Sequence, residues 1–220
     1  MAAKVIAFAF LTAFLTSSVA ETLTFTPDPG RAGWSTVSFP GIASARFSVS
    51  KDGTLLIATD SAAGLLWRNV SGAMQAAHTA HWRWRVDEGV APTDLSKRGV
   101  DDRALGVYFV FDDRPDVPKS AMTIFDSASV TSLVYVFGGN KPRGSIIDSP
   151  HMGRRGKFIV LRIADAPKRV WFDESVDLAQ DYFHVFGKPL PNLIAIAIES
   201  DSDDTRARNR AELQAFIVGK

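Results

Sequence analysis

After residue 20, hydrophobic and polar residues alternate with a period of two along most of the chain. Short runs rich in β-branched and aromatic residues are separated by clusters of Pro, Gly, Asp and Ser, which is typical of strands joined by turns. Clear examples are Thr54–Thr59, Ala80–Val86 and Ala104–Phe111. Between the early runs, Lys51-Asp52-Gly53 predicts a hairpin turn, because glycine readily adopts the positive φ that such turns need. About a dozen such runs predict a mainly β fold, an antiparallel two-sheet sandwich with a jelly-roll-like arrangement.

One segment, Asp173–Phe186, has a helical period instead of a strand period. Four apolar residues at i, i+3, i+4 and i+7 predict one hydrophobic face: Ala179, Tyr182, Phe183 and Phe186. Acidic residues near its start complement the helix dipole, and Gly187 is a typical stop. We therefore predict a single amphipathic helix over about residues 174–186, covering one end or face of the sandwich.

The first 20 residues have the three regions of a secretory signal peptide. Lys4 supplies a positive charge, Val5–Leu15 is an apolar stretch too short to span a bilayer, and Thr16–Ala20 offers small residues to signal peptidase. We expect cleavage near Ala20, a single mature domain over residues 21–220, and a periplasmic or secreted protein.

Composition narrows the classes of function that the mature chain can have. Lys4 is the only charged residue of the leader, so the 25 basic residues exceed the 24 acidic ones by that residue alone, and the mature chain is formally neutral. Neutrality argues against nucleic acid as a partner. No later segment is long and apolar enough to suggest a membrane span. The absence of cysteine excludes disulfides, thiolate metal sites and a cysteine nucleophile.

Several motifs follow one another in a characteristic order along the mature chain. They are Leu65–Val70, Trp82–Val86, Asp101-Asp102 ahead of Val107–Phe111, Tyr135–Phe137 followed by Gly144, Asp181-Tyr182 with Phe186-Gly187, and Ile194–Asp201 running into Asp204. Together they resemble a bacterial secreted family of unknown function, DUF3047. The resemblance implies export and a β-rich fold, and it implies no activity because the family has none assigned. The chain departs from the family pattern at Arg210-Ala211-Glu212, where Tyr-Gly-acidic is expected.

A first candidate ligand site comes from Trp82-Arg83-Trp84-Arg85. On a strand, both tryptophans point to one face and both arginines to the other. Arg83 and Arg85 would then offer guanidinium donors to a sugar or carboxylate. Alternatively, the tryptophans fill the core and the arginines pair with acids such as Asp87, Asp101 or Asp102, and general burial preferences favour this second interpretation.

The loop over residues 138–144 extends this candidate ligand-binding set. It follows a strongly aromatic strand and carries exposed donors, and loops at the ends of a sandwich are common binding sites. Tyr135, Asn140 and Lys141 are therefore candidate ligand-binding residues, with a plain connecting turn as the simpler interpretation.

The end of the strand near residue 200 carries a second candidate site. Ile194, Ile196 and Ile198 are predicted on one face, and the other face continues as Glu199, Asp201 and Asp203. Asp201, Asp203 and the adjacent Asp204 could bind a structural calcium ion, which takes oxygen ligands. Glu199, Asp201 and Asp203 could instead supply the acid and base of a glycosidase. A solvated loop with nearby arginines as counter-charges is the third interpretation.

Two functional hypotheses follow. The first is an exported, non-catalytic β-sandwich that binds a glycan or another cell-envelope ligand. The alternative is an extracytoplasmic glycoside hydrolase or lyase that uses carboxylates. Two close carboxylates in a concave pocket lined by Trp or Tyr would favour the enzyme, whereas a flat face would favour the binding protein.

Overall fold

The computed structural model describes residues 20–114 and 121–220, so the predicted leader lies outside the described residues except for Ala20. The strands are β1 (Ala20–Leu23), β2 (Trp34–Val37), β3 (Ala43–Ser44), β4 (Arg46–Val49), β5 (Leu55–Asp60), β6 (Ala62–Asn69), β7 (Thr79–Glu88), β8 (Arg103–Asp112), β9 (Thr131–Phe137), β10 (Ile146–Ser149), β11 (Gly153–Arg162), β12 (Phe172–Asp177), β13 (Asn192–Asp201) and β14 (Arg208–Gly219). The helices are α1 (Ala121–Asp126) and α2 (Leu178–Phe186), and short 3-10 turns occupy Pro29–Ala32 and Gly72–Ala76.

These strands form two sheets that pack face to face. The smaller sheet has the order β12-β7-β14-β5-β4, with β1 added along β14. The larger sheet has the order β10-β11-β9-β8-β13-β6-β2, with β3 added along β6. All pairs are antiparallel except β11 with β9 and β3 with β6. The predicted antiparallel two-sheet sandwich is therefore confirmed, and no helix in the two described ranges is long and apolar enough to cross a membrane.

Side chains of β7 alternate between the core and the outer face of the smaller sheet, as the sequence predicts. Trp82, Trp84 and Val86 are fully buried between the sheets, and Arg83 and Arg85 point to the outer face of the smaller sheet. From the larger sheet, Val107 and Phe109 enter the same core. Tryptophan and phenylalanine rings in contact thus fill the space between the two sheets.

The larger sheet is buried on both faces, which explains the almost continuous apolar sequence of β8. Its inner face packs on the smaller sheet. Its outer face carries a second apolar cluster that includes Tyr108, Val134 and Phe158, and α1 adds Ala121 and Ile124 to it. The outer face is therefore a sheltered surface on which a site can form.

A β-bulge decides which side chains of β8 reach this outer face. Glu199 pairs with Gly106 and Asp201 with Arg103, so two residue steps on β13 are matched by three on β8. Strict alternation would place Arg103 on the same face as Leu105, inside the core. The extra residue turns Arg103 outward, to the side of Gly106 and Tyr108.

The structure corrects one boundary and two side-chain placements in the sequence-based prediction. Residues 173–177, predicted as the first turn of the helix, belong to strand β12, and α2 begins only after Asp177, whose carboxylate accepts a hydrogen bond from the Gln180 N–H. Phe183, predicted on the buried face, is 62% exposed. A second register shift in β13 places Ile194 on the outer face, while Ile196 and Ile198 remain in the core between the sheets. The six-residue helix α1 was not predicted.

Candidate functional site

A pocket of about 390 Å³ lies against the outer face of the larger sheet. Strands β8, β9 and β13 form its floor, and the loops around residues 39–42, 98–101, 149–152 and 203–204 form its walls. The polar and charged side chains that line it are Arg98, Asp101, Arg103, Tyr108, Ser132, Ser149, His151, Glu199, Asp201, Asp203 and Asp204. Apolar walls come from Phe39, Ile42, Val134 and Met152.

Arg103 lies at the centre of the polar floor, with only 2% of its side chain exposed. One guanidinium nitrogen, Nη2, donates to Glu199 Oε2 and lies 3.1 Å from the Tyr108 hydroxyl. The other, Nη1, donates to the backbone oxygen of Asp101 at 2.7 Å. Nη1 also lies 3.7 Å from Asp201 Oδ2, so one guanidinium contacts two carboxyl groups that face the pocket.

The charges around this guanidinium fix its protonation state. Burial alone would lower the pKa of Arg103, but Glu199, Tyr108, Asp201 and Asp101 raise it well above the ordinary value. Burial also raises the pKa of Tyr108, whose hydroxyl donates to Glu199 Oε2 at 2.7 Å. Arg103 is therefore a permanent cation and Tyr108 a permanent donor, and together they hold Glu199 in one position.

Gly106 makes room for this cluster on the sheet. It pairs with Glu199 across the β8–β13 ladder and lies on the same face as Tyr108. A Cβ at this position would lie 3.4 Å from Glu199 Oε2 and 3.3 Å from Tyr108 Cε2. A side chain here would crowd both residues, so the absence of a Cβ allows them to meet.

Asp201 is the second carboxyl group on Arg103, and its pKa is strongly raised. Burial raises its pKa to about 10, against the lowering effect of the Arg103 charge, and Glu199, Asp203 and Asp102 raise it further. Asp201 is therefore protonated at neutral pH unless a cation takes the place of the proton. Its Oδ1 is buried and has no hydrogen-bond partner within residues 20–114 and 121–220.

The acidic residues of this region could also hold a metal ion. Carboxylate oxygens of Asp102, Asp201 and Asp203 all lie within 4.8 Å of one another. The predicted calcium set contained Asp204 in place of Asp102. Asp102, which is fully buried, accepts hydrogen bonds from the N–H groups of Asp204 and Thr205, so Asp204 contributes its backbone to the cluster.

His151 and Asp101 form a pair at the mouth of the pocket. His151 Nε2 lies 3.1 Å from Asp101 Oδ2, and the Asp101 side chain is buried while that of His151 is 52% exposed. Burial would raise the pKa of Asp101, but the hydrogen bond to His151 and the charge of Arg103 bring it below the ordinary value. A second contact joins the same two loops, since Arg98 Nε donates to the Pro150 carbonyl at 2.8 Å.

The predicted ligand-binding arginines lie on the other side of the molecule. Arg83 pairs with Asp173 at 2.9 Å, and Arg85 pairs with Asp87 at 2.8 Å and Glu212 at 2.6 Å. Both guanidinium groups also lie over the ring of Trp171, at 5.4 and 5.1 Å from its centroid. Acid pairing, which the sequence favoured, is thus observed with Asp87, whereas Asp101 lines the pocket and Asp102 belongs to the buried acidic cluster beside it.

The other predicted ligand-binding residues are also separate from the pocket. Tyr135 is fully buried between the sheets, and its hydroxyl donates to Asp181 Oδ2 at 2.6 Å, so the structure corrects its placement from a ligand site to the core. Asn140 and Lys141 are exposed on the loop after β9 and do not line the pocket. Of the candidate ligand-binding, catalytic and metal-binding residues predicted from the sequence, the pocket brings together Glu199, Asp201, Asp203 and Asp204.

Sequence reasoning missed most of the remaining polar groups. Arg103 is turned outward by a bulge, which strand periodicity does not reveal. Tyr108 lies within a continuous apolar run, and its parity relative to Val107 and Phe109 was the only available signal. His151 has no sequence neighbour that would indicate its partner, because Asp101 is 50 residues away.

A family model described as protein of unknown function (DUF3047) matches residues 32–217. No curated protein matches the chain. Similar solved structures include the carbohydrate-binding module CBM29_1 from Piromyces equi, with 7% identity, a TM-score of 0.41, and coverage of 93% of this chain and 91% of that one. A cellulase derived from Cel12A of Rhodothermus marinus has 11% identity, a TM-score of 0.48 and coverage of 93% and 100%. The xyloglucanase domain of NopAA from Sinorhizobium fredii, in complex with cellobiose, has 9% identity, a TM-score of 0.48 and coverage of 92% and 99%. At these values, the similarities carry no argument about the ligand or chemistry of this chain.

Proposed function

The chain belongs to the DUF3047 family of proteins of unknown function, and from its pocket we propose that it is a glycan-cleaving hydrolase that works outside the cytoplasm. The observation that carries this proposal is the placement of Glu199 and Asp201 on one buried guanidinium in one concave pocket. A pocket with close carboxylates and a tyrosine is the arrangement that favours the enzyme over a flat binding face.

The two carboxyl groups have different environments, which suits different roles. Glu199 accepts hydrogen bonds from Arg103 and Tyr108 and serves as a fixed acceptor that anchors the floor. Asp201 carries a proton at neutral pH and lines the pocket, so it can act as the general acid that protonates a leaving oxygen. This assignment rests on the position of both carboxyl groups beside Arg103 in one pocket, and the raised pKa of Asp201 supports it.

The lining of the pocket favours a sugar as the bound group. The lining contains acceptors such as Glu199 and Asp203 and donors such as Arg98, and Phe39 and Met152 supply apolar walls. A sugar ring has hydroxyl groups around its edge and C–H groups on its faces, so it can use both kinds of contact. The volume lies within the range of small-ligand sites.

Calcium at Asp102, Asp201 and Asp203 is a second candidate role, supported by the mutual distances of their oxygens. An ion at this position would replace the proton of Asp201 and remove its use as an acid. Binding to the native state would raise the melting temperature with calcium concentration and a chelator would lower it, and Asp201→Asn would abolish most of this response. Metal-free protein that cleaves glycans and melts independently of calcium would exclude this role.

The predicted leader places the proposed activity in the periplasm or in the medium. Glycan ligands of the cell envelope or the surroundings are available there. The formal neutrality of the mature chain also remains the basis for expecting no nucleic-acid partner.

The test is a cleavage screen on soluble polysaccharides, including xyloglucan, xylan, mannan and a β-glucan, with reducing ends as the readout. Wild-type protein should release reducing ends from at least one of them, and Glu199→Gln and Asp201→Asn should reduce the rate by about 10²–10⁴-fold, the usual value of general acid catalysis and its support. Glu212→Gln, which removes an acid paired with Arg85 on the opposite sheet, is the matched control. Binding without cleavage by wild-type protein would identify a binding protein instead.

A further inference from the structure

Besides Glu199 and Asp201, the pocket contains another side chain that can transfer a proton. His151 is the one histidine among its lining residues, and Asp101 Oδ2 holds its Nε2 at 3.1 Å. Because the oxygen of the buried Asp101 side chain faces Nε2 as a hydrogen-bond acceptor, Nε2 is the nitrogen that carries the hydrogen. The remaining nitrogen, Nδ1, has no partner within the two described ranges and is a free acceptor at the mouth.

We infer that His151 is the general base of the site, with Asp101 as the positioning residue that fixes its tautomer. This inference rests on the proposed function and adds a further catalytic residue to it. A buried carboxylate that orients an imidazole and stabilises its cation is an established arrangement for activating a nucleophile. Glu199 is less suited to this role because Arg103 and Tyr108 already occupy its Oε2.

A chain of contacts joins the base to the proposed acid. Asp101 Oδ2 lies 3.5 Å from Arg103 Nη1, and Arg103 Nη1 lies 3.7 Å from Asp201 Oδ2. Arg103 therefore fixes both Asp101, which orients the base, and Asp201, which supplies the acid. Asp101 contacts His151 directly, and the other charged or titratable groups that line the same pocket are Arg98, Arg103, Tyr108, Glu199, Asp201, Asp203 and Asp204.

The reaction balances with water as the only co-reactant. His151 Nδ1 removes a proton from water as the water oxygen forms a bond to the anomeric carbon. Asp201 gives its proton to the glycosidic oxygen as the carbon–oxygen bond breaks. Two sugar hydroxyl groups result, the anomeric configuration is inverted, and the imidazolium returns its proton through solvent to Asp201.

The experiment compares His151→Ala, Asp101→Asn and Asp201→Asn with the control His184→Ala, which removes an exposed histidine of α2. Two kinds of probe are used. They are the polysaccharide on which wild-type protein is most active, and the 4-nitrophenyl glycoside of its main sugar, whose leaving group needs little protonation. His151→Ala should lose about 10²–10⁴-fold on both probes, whereas Asp201→Asn should lose as much on the polysaccharide and far less on the 4-nitrophenyl glycoside.

Added imidazole should restore part of the rate of His151→Ala and none of that of Asp201→Asn, a response that a merely structural histidine would not give. Proton NMR should show the inverted anomer as the first product. Wild-type rates in His151→Ala, or first formation of the retained anomer, would overturn the inference and leave the proposed function intact. Cleavage of no probe by wild-type protein would overturn both.

Discussion

At the scale of single residues, Asp201 illustrates how a buried carboxyl group connects stability to pH. Its pKa is about 10 in the folded protein against 3.8 as the ordinary value. Between these values the folded protein binds more protons than the unfolded chain, so the free energy of unfolding falls as pH rises. In protein kept metal-free with a chelator, we predict a fall of up to about 1.4 kcal/mol per pH unit from this group.

Denaturant titrations at several pH values between 5 and 8 measure this slope. Asp201→Asn should flatten it and should be more stable than wild type at pH 8. The control Asp60→Asn, an exposed acid paired with Arg208, should keep the wild-type slope. An identical slope in wild type and Asp201→Asn would show that Asp201 is ionised in the folded protein.

Trp84 is a residue whose role was predictable from strand parity alone. It is fully buried, its ring contacts Trp82 and Phe137, and its Nε1 donates to Glu174 at 2.9 Å. Trp84→Ala should lower the free energy of unfolding by about 3–5 kcal/mol, since it empties a large aromatic site. Trp84→Phe keeps most of the packing and should cost less. A wild-type denaturation midpoint in Trp84→Ala would contradict the assignment of this strand face.

At the scale of elements, the bulged segment of β8 is the feature that builds the pocket floor. Gly106 pairs with Glu199, and a Cβ there would crowd both Glu199 and Tyr108. We predict that Gly106→Ala lowers the cleavage rate at least tenfold while changing the free energy of unfolding by only about 1 kcal/mol, because alanine is otherwise acceptable in a strand. Kinetics and denaturant unfolding of the same preparation test this. Unchanged kinetics would show that the cluster tolerates displacement.

In residues 173–186, hydrophobic periodicity predicts the wrong secondary structure for the first part of the segment. Residues 173–186 have a helical apolar pattern, yet 173–177 form part of strand β12 because they pair with Arg83 to Thr79 of β7. Sheet pairing outweighs a weak local preference for helix. The order and the approximate position of most strands were predictable, whereas β3 and β10, which are short edge additions to the sheet, were not.

At the scale of the whole molecule, the fold class followed from the sequence, but only part of the site did. Glu199, Asp201, Asp203 and Asp204 were found because they lie close together in sequence, on one strand and the loop after it. A β-bulge brings Arg103 to them, and two loops that are far apart in sequence bring Asp101 and His151. No local sequence pattern predicts these contacts. The site was therefore predictable within one element and not across elements.

The leader is also a feature of the whole molecule. Its three ordered regions predict processing near Ala20. Mass spectrometry of the exported protein should give an N-terminus at or near Glu21. An intact leader on protein recovered from the periplasm or medium would contradict both the cleavage and the proposed location of the activity.

The most direct test of the central claim is a crystal structure of Asp201→Asn with an oligosaccharide of the polysaccharide that the wild type cleaves. We predict that a sugar unit occupies the pocket against Arg103 and Tyr108, with a glycosidic oxygen within hydrogen-bond distance of the side chain at position 201. An oligosaccharide bound instead on the outer face of the smaller sheet, against Arg83, Arg85 and Trp171, with the pocket free of sugar, would contradict the account.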